Sequence, residues 1–104
     1  MTKAELLANI KANMKISVTS FDATLNQMID ECIKDIRESM DVDSLEAMTD
    51  VELLGDVAVC GTIRTYIRAR FGDSSDMAGY ELAYQTQLAK LAVRYNATNF
   101  VEAD

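Results

Sequence analysis

Histidine, proline and tryptophan are absent from the chain, and its 104 residues include only four glycines and two cysteines. Histidine is the commonest general base and metal ligand, so its absence removes that group from any site and rules out a Ser–His–Asp triad. The sequence also lacks a glycine-rich phosphate-binding loop. We therefore expect a protein that is not an enzyme and that needs no cofactor.

A basic excess is also missing, because the chain has ten Lys and Arg against seventeen Asp and Glu and a net charge of −7. Neutralising phosphates requires clustered cations, so this charge argues against a protein that grips DNA or an anionic membrane. It does not exclude a protein that DNA merely passes. No run approaches the ~20 apolar residues of a membrane span, and the start MTKAELLANI does not read as a signal peptide. We expect a soluble cytosolic product with no membrane partner.

Two amphipathic helices are predicted in the first part of the chain. Thr2 and Glu5 have the spacing of a capping box, which predicts a helix over residues 3–14. A second helix is predicted over residues 20–40, because apolar residues recur there at helical spacing along one stripe. The stripe consists of Phe21, Leu25, Met28, Ile29, Cys32, Ile33, Ile36 and Met40.

An acidic connector separates these helices from a third. The segment from Glu38 to Asp56 contains seven acids and no base. Within it, Thr49 and Glu52 repeat the capping-box spacing, which predicts a third helix running to about Phe71. The first half of that helix, VELLGDVAVCG, is apolar nearly all round and predicts a central position covered on several sides. Its two glycines, at positions 55 and 61, are tolerable if neighbouring helices approach the backbone there.

A short polar turn then leads into a fourth helix, predicted over residues 76–95. Gly72 suits the left-handed conformation that ends a helix, and the following Asp and Ser side chains suit a helix start. So short a connection predicts an antiparallel hairpin of helices three and four. The sequence thus predicts a small all-α, four-helix domain over residues 1–96, followed by a loose tail over 97–104. The apolar stripe of helix four is Met77, Tyr80, Tyr84, Leu88, Leu91 and Tyr95.

The two cysteines and the acidic connector each raise a further question of chemistry. Cys32 and Cys60 both fall on apolar stripes, and buried free thiols are expected rather than a disulfide. Asp41, Asp43 and Glu52 occupy positions 1, 3 and 12 of a possible calcium loop. Positions 5 and 6 of that loop hold Leu and Glu where calcium loops want Asp or Asn and then Gly, so no calcium site is expected.

The order of the hairpin sequence, TYIRARFG, a turn of Asp and Ser, then YELAYQTQLAKL, resembles the head–tail connector proteins of long-tailed bacteriophages, also called adaptors or DNA-packaging-related neck proteins. The likeness covers about residues 6–91, including the opening LLANIKANMKISVTSFDATLNQMIDECIKDI. The turn departs from the family in having serines and no proline, and the acidic connector is long, which leaves its role open. The residues that carry the likeness most clearly are Tyr66, Phe71, Gly72, Asp73, Asp76, Tyr80, Tyr84, Gln87 and Leu88.

This resemblance implies a structural protein of the virion neck, made in the cytoplasm of a host bacterium. Members of the family form dodecameric rings that dock beneath the portal of the DNA-filled capsid and present a surface to the stopper and tail-completion proteins. DNA leaves through the channel of the ring without specific binding. The family's C-terminal segment engages the portal, which points to Phe100 and Val101 as docking residues here.

A ring of this kind requires contacts between identical subunits. Tyr and Arg are favoured at protein interfaces, so the hypothesis is that residues of helices three and four form this contact. An equally open interpretation is that the tyrosines pack inside the subunit and the arginines are solvated. The candidate interface residues are Arg64, Arg68, Arg70, Tyr80 and Tyr84.

The acidic connector suggests a channel wall that repels phosphates and keeps the passing DNA mobile. The candidate channel-facing residues are Asp41, Asp43, Glu46 and Asp50. The alternative is that these acids only keep a surface loop solvated.

Two other classes of function are open. One is a helix-turn-helix regulator, since the predicted turn is short and contains glycine. A recognition helix would place basic and amide residues near its start, whereas helix four opens with DMAGYE. The other is an acidic helical protein-interaction module with no role in virion assembly.

Overall fold

Five α-helices form the described part of the chain, which comprises residues 1–39, 48–71 and 76–103 of a computed structural model, with 96–103 described by their backbone alone. No strand occurs within these ranges, which confirms the predicted all-α domain. No helix found there is long and apolar enough to cross a membrane. The helices are α1 (Lys3–Asn13), α2 (Asp22–Ser39), α3 (Asp50–Leu53), α4 (Val57–Arg70) and α5 (Met77–Ala103).

Capping boxes begin two of the helices, as the sequence predicts. The Thr2 hydroxyl accepts a hydrogen bond from the backbone N–H of Glu5 at 3.1 Å, and the Glu5 carboxylate accepts one from the N–H of Thr2 at 3.0 Å. Thr49 and Glu52 form the same reciprocal pair at the start of α3. Each pair satisfies two backbone donors that a helix start would otherwise leave free. The spacing in the sequence therefore located both helix starts.

The predicted third helix is in fact two helices, and the single-helix prediction over residues 49–71 is wrong here. The chain leaves α3 at Leu53 and restarts at Val57, where Asp56 caps α4 by accepting a hydrogen bond from the N–H of Ala58 at 2.9 Å. Gly55 is a poor helix former, and the Asp beside it is a strong cap, so together they favour a break. One result is that Val57 is 82% exposed, contrary to the predicted all-round burial.

Helix α5 is longer than predicted, because it continues past Tyr95 to Ala103. Residues 97–103 of the predicted loose tail have helical backbone. No glycine or proline follows Tyr95 to end the helix. Asn and Thr each cost only up to about 0.7 kcal/mol relative to Ala, and extending a helix avoids the cost of nucleating one.

Helices α4 and α5 pack as an antiparallel hairpin, as expected. At one end Arg70 donates a hydrogen bond to Glu81 at 2.9 Å, and at the other the Tyr95 hydroxyl donates to Asp56 at 2.7 Å. The end of α4 thus meets the start of α5, and its start meets the later turns of α5. The turn itself, residues 72–75, lies outside the described residues, so its predicted left-handed cap stays a prediction.

The core lies where α4 packs against both α2 and α5, with α1 against α2. The inward residues of the predicted α2 stripe are buried there, together with α4 residues and one tyrosine of α5. The buried cluster comprises Leu6, Ile10, Leu25, Ile29, Cys32, Ile33, Ile36, Leu53, Leu54, Val59, Cys60, Ile63, Tyr66, Ile67, Tyr84 and Leu91.

Both cysteines are buried and free, which confirms the predicted thiols. Burial raises the pKa of the Cys32 thiol to about 12. Burial also raises the pKa of Cys60, whose thiol donates a hydrogen bond to the Leu54 carbonyl at 3.1 Å. Both thiols are therefore protonated core groups rather than reactive nucleophiles.

Gly61 lies in the interior of α4, at a position where the surrounding space would also admit a side chain. A Cβ added at Gly61 would meet no atom of another element within 4 Å, so the expectation of a close helix approach there is wrong. At Gly55, by contrast, an added Cβ would lie 3.1 Å from the backbone oxygen of Glu52. Gly61 therefore weakens α4 without a packing benefit.

We predict that Gly61→Ala raises the free energy of unfolding by about 0.5–1 kcal/mol, because Ala restricts the unfolded chain and fits the helix. Urea unfolding followed by circular dichroism measures the change. Gly55→Ala is the matched control and should give no gain, since a backbone oxygen cannot move aside. A loss of stability in Gly61→Ala would contradict the open space seen beside α4.

Candidate subunit interface

Tyr84 is a core residue of its own chain. Its side chain is fully buried, its hydroxyl donates to Asp35 at 2.8 Å, and its ring meets that of Tyr66 edge-on at 5.1 Å. Burial raises the pKa of Tyr84, so its hydroxyl stays a donor. The prediction that Tyr84 contacts a neighbouring subunit is therefore wrong, and the alternative of an inward tyrosine with a bound hydroxyl is correct.

Arg70 covers this pair of tyrosines. Its guanidinium carbon lies 4.0 Å from the ring centroid of Tyr66 and 5.2 Å from that of Tyr84. Its Nη2 donates to Glu81 at 2.9 Å, which holds the guanidinium in place across the hairpin. A cation over aromatic faces is attracted by the ring quadrupole and shields the rings from water. Arg70 therefore stabilises the core of its own chain, and its outer edge is exposed to solvent.

The other two arginines join α4 to α1. Arg64 donates from Nε to the side chain of Asn9 at 2.9 Å, and Arg68 donates to the Asn13 carbonyl at 3.4 Å. Arg68 also donates to the Tyr80 hydroxyl at 3.3 Å. All these side chains are half-buried except that of Asn13. Their contacts position α1, and a further contact with a neighbouring subunit stays a prediction.

A second stripe of α5 points away from the core, and the sequence analysis overlooked it. Leu82 is 70% exposed and Val93 is 69% exposed, with Thr86 and Ala89 exposed between them. We call these four residues the outer face of α5. Their spacing of four, three and four residues is the spacing of one helical face, so the pattern was present in the sequence. The prediction assigned the apolar side of this helix to the tyrosine stripe, which lies almost opposite.

Two open depressions flank this part of α5, with volumes of about 590 and 390 Å³. Lys90 and Arg94 line both of them, and we call this pair the cationic ridge. In the smaller depression the Oε1 atom of Gln87 is buried with no hydrogen-bond partner among the described residues. The larger depression is lined by Gln85, Thr86, Ala89, Lys90, Val93 and Arg94, and the smaller by Ala58, Gly61, Thr62, Gln87, Lys90, Leu91 and Arg94.

Asp56 connects the start of α4 to α5 beside this ridge. It accepts hydrogen bonds from Arg94, from the Tyr95 hydroxyl and from the N–H of Ala58. Its partial burial acts to raise the pKa of the carboxyl, but these donors and the Arg94 charge outweigh it and hold the pKa below the usual value. Asp56 is therefore an ionised clamp that fixes α5 against the head of α4.

Of the four acids predicted to face a channel, the structure describes one. Asp50 is exposed and pairs with Arg37 at 3.0 Å, and Arg37 also donates to the Met48 carbonyl at 2.8 Å. Arg37 therefore ties the end of α2 to the start of α3. Asp41, Asp43 and Glu46 lie outside the described residues, and so does most of the possible calcium loop.

Phe100 and Val101, the predicted docking residues, lie in the helical part of α5, and their side chains are outside the described atoms. Among the described residues no group of three His, Cys, Asp or Glu could hold a metal ion. The carboxylate of Glu52 is engaged in the α3 capping box.

No known protein family, curated protein or solved structure matches the chain.

We predict that Tyr84→Phe lowers the free energy of unfolding by about 1–2 kcal/mol, because it removes a hydrogen bond from a buried hydroxyl to a carboxylate. Urea unfolding at pH 7 measures the loss. Tyr66→Phe is the control: its hydroxyl donates to Glu31 at 3.4 Å, a longer bond, and the loss should be smaller. Equal losses in the two variants would contradict the assigned role of Tyr84.

We predict that the Asp56 clamp makes stability fall in acid. The pKa of Asp56 is lower in the folded chain than its ordinary value of 3.8, so its contribution is present above that pH and is lost as pH falls through the folded-state pKa. Asp56→Asn should therefore be less stable than the unchanged chain at neutral pH, and the gap should narrow below about pH 3.8.

Urea unfolding at a series of pH values between about 6 and 2 measures this gap. Asp56→Ala, which also removes the α4 cap, should lose about a further 1 kcal/mol at every pH. A gap between the Asn variant and the unchanged chain that stays constant down to the lowest pH would contradict an ionised clamp.

Proposed function

We propose that the protein is a structural head–tail adaptor of a long-tailed bacteriophage, docked as a ring beneath the portal in the virion neck. In this role it extends the DNA channel and receives the stopper or tail-completion protein. The sequence resemblance over residues 6–91 motivates the proposal, and the resembling family suggests a dodecamer. The absence of histidine and of a phosphate-binding loop is consistent with a role that involves no catalysis.

The observation that supports this proposal best is the exposed outer face of α5. Leu82 and Val93 leave most of their apolar surface in water, although α5 is fixed on α4 at both ends. Exposed apolar patches on a rigid element are typical of protein interaction sites. A ring subunit needs such a surface, because its two contact patches lie on different sides of the molecule.

The end of α5 is the proposed portal-docking segment. Since residues 97–103 continue the helix, docking through Phe100 and Val101 is best described as a helix end entering a groove of the portal. This replaces the picture of a loose tail that orders on binding. A preformed helix loses less conformational freedom on docking than a loose segment does.

The acidic segment 41–50 is proposed to face the channel, where like charge keeps DNA mobile. Asp50 contributes least to such a wall, because Arg37 partly neutralises it. The DNA is a passing cargo in this proposal and not a bound ligand.

The geometry of the hairpin argues against the regulator alternative. Helices of a helix-turn-helix motif cross at about 90–120°, whereas α4 and α5 run antiparallel with contacts at both ends. Glu81, near the start of α5, is paired with Arg70 and offers no donor to a base edge. An acidic interaction module outside the virion would use the same outer face. Unlike an adaptor, it would not bind the portal protein.

We predict that co-expression with the portal protein encoded in the same genome gives a stable complex, seen by electron microscopy as a second ring under the portal. A variant lacking residues 98–104 should lose this complex, because it lacks the docking end of α5. Deleting only Ala103 and Asp104 is the control and should preserve binding. If the intact chain folds but does not bind the portal, the adaptor proposal is wrong.

A further inference from the structure

The stretch of α5 that carries its outer face is positively charged in a strongly acidic protein. Between Leu82 and Tyr95 the sequence contains Lys90 and Arg94 and no Asp or Glu. Arg94 is paired with Asp56, whereas Lys90 makes no ion pair among the described residues. Within the described residues this stretch therefore presents a cation without an ion-pair partner beside exposed apolar side chains, and an acidic surface would complement it.

Such an acidic surface exists on the same chain, along α2. Glu31 and Asp35 are exposed, and neither forms an ion pair with a cation in the part of the chain that the structure describes. They accept hydrogen bonds from neutral groups only, including the hydroxyls of Tyr66 and Tyr84. Because they lie four residues apart, their like charges face each other and repel. A pair of cations from outside would relieve that repulsion.

We infer that the cationic ridge of one copy binds the acidic pair on α2 of the next copy, an inference that rests on the proposed ring. Lys90 and Arg94 are four residues apart, as are Glu31 and Asp35, so both pairs span about 6 Å along a helix. With α5 and α2 side by side and parallel, Lys90 meets Glu31 and Arg94 meets Asp35.

The same parallel alignment also gives a partner to Leu82, one of the two most exposed apolar residues of the outer face. Leu82 lies eight residues before Lys90, and Ala23 lies eight residues before Glu31, so Leu82 reaches the start of α2. There Phe21 is 44% exposed, held edge-on against Phe71 at 5.4 Å. The contact thus joins Leu82 to the apolar surface at Phe21, and the two cations of the ridge to the two carboxylates of α2.

The two surfaces lie on different helices of each copy, so the contact is head-to-tail. Such contacts close into a ring when the rotation between copies allows it. Every copy would use its α5 toward one neighbour and its α2 toward the other. Part of the acidic surface that gives the protein its negative net charge would then be the binding site for the next copy.

A charge exchange tests this contact directly. Lys90→Glu alone and Glu31→Lys alone should each weaken ring assembly on the portal by about tenfold or more per contact, because attraction becomes repulsion. An equimolar mixture of the two variants should assemble again. In that mixture the changed α5 of one variant meets the changed α2 of the other, and the unchanged surfaces meet as before.

Lys15→Glu is the matched control, because it makes the same change of charge at an exposed residue outside both surfaces. It should assemble like the unchanged chain. Circular dichroism and urea unfolding of all variants check that each one folds. Electron microscopy of the portal complexes and sedimentation velocity of the free proteins give the assembled fraction.

The outcomes separate this inference from the proposed function. If both single variants form rings on the portal as the unchanged chain does, the assigned contact is wrong and the adaptor function stands. If the unchanged chain self-associates and the mixture rescues the single variants, but nothing binds the portal, the contact stands and the adaptor function fails. If the unchanged chain neither self-associates nor binds the portal, both fail.

Discussion

The antiparallel packing of α4 on α5 is the most extensive helix contact in the described chain, and α2 packs against both members of this pair. Two polar contacts fix the ends of this pair, Arg70 with Glu81 and Asp56 with Tyr95. The four-residue helix α3 is far too short to be stable alone, so its place depends on the body formed by the longer helices. Helix α1 packs against α2, and arginine side chains of α4 also bind its later turns.

The burial of Tyr84 also decides which residues face outward. Successive residues of an α-helix are about 100° apart, so Leu82 and Thr86 point almost opposite to Tyr84. Once the Tyr84 hydroxyl reaches Asp35, the rotation of α5 is set and its second apolar stripe must face the solvent. The candidate interface is thus a consequence of a core contact, and a change at Tyr84 would disturb both.

Local signals in the sequence predicted the fold better than the candidate site. Capping boxes and the α2 stripe depend on residues a few positions apart. Both boxes were identified correctly, and so was the stripe from Leu25 to Ile36, whereas Phe21 is 44% exposed. The break before Asp56 was missed because the apolar pattern continues across Gly55. The role of Tyr84 was missed because its partner, Asp35, lies 49 residues away and only packing brings the two together. A helix with apolar residues on two faces does not reveal from its sequence which face is covered.

Charge would give the proposed assembly a second constraint beyond the shape of the contact. Copies with a net charge of −7 repel one another, so the proposed ring would form only where local attraction exceeds that repulsion. At physiological salt, exposed charges are screened beyond about 8 Å, which weakens the general repulsion more than a direct contact between Lys90 and a carboxylate. The proposed contact would also replace exposed apolar surface with buried surface, a gain that salt does not screen. A portal that holds copies side by side would remove much of the remaining cost of bringing them together, so templated assembly suits a subunit whose own attraction is local and modest.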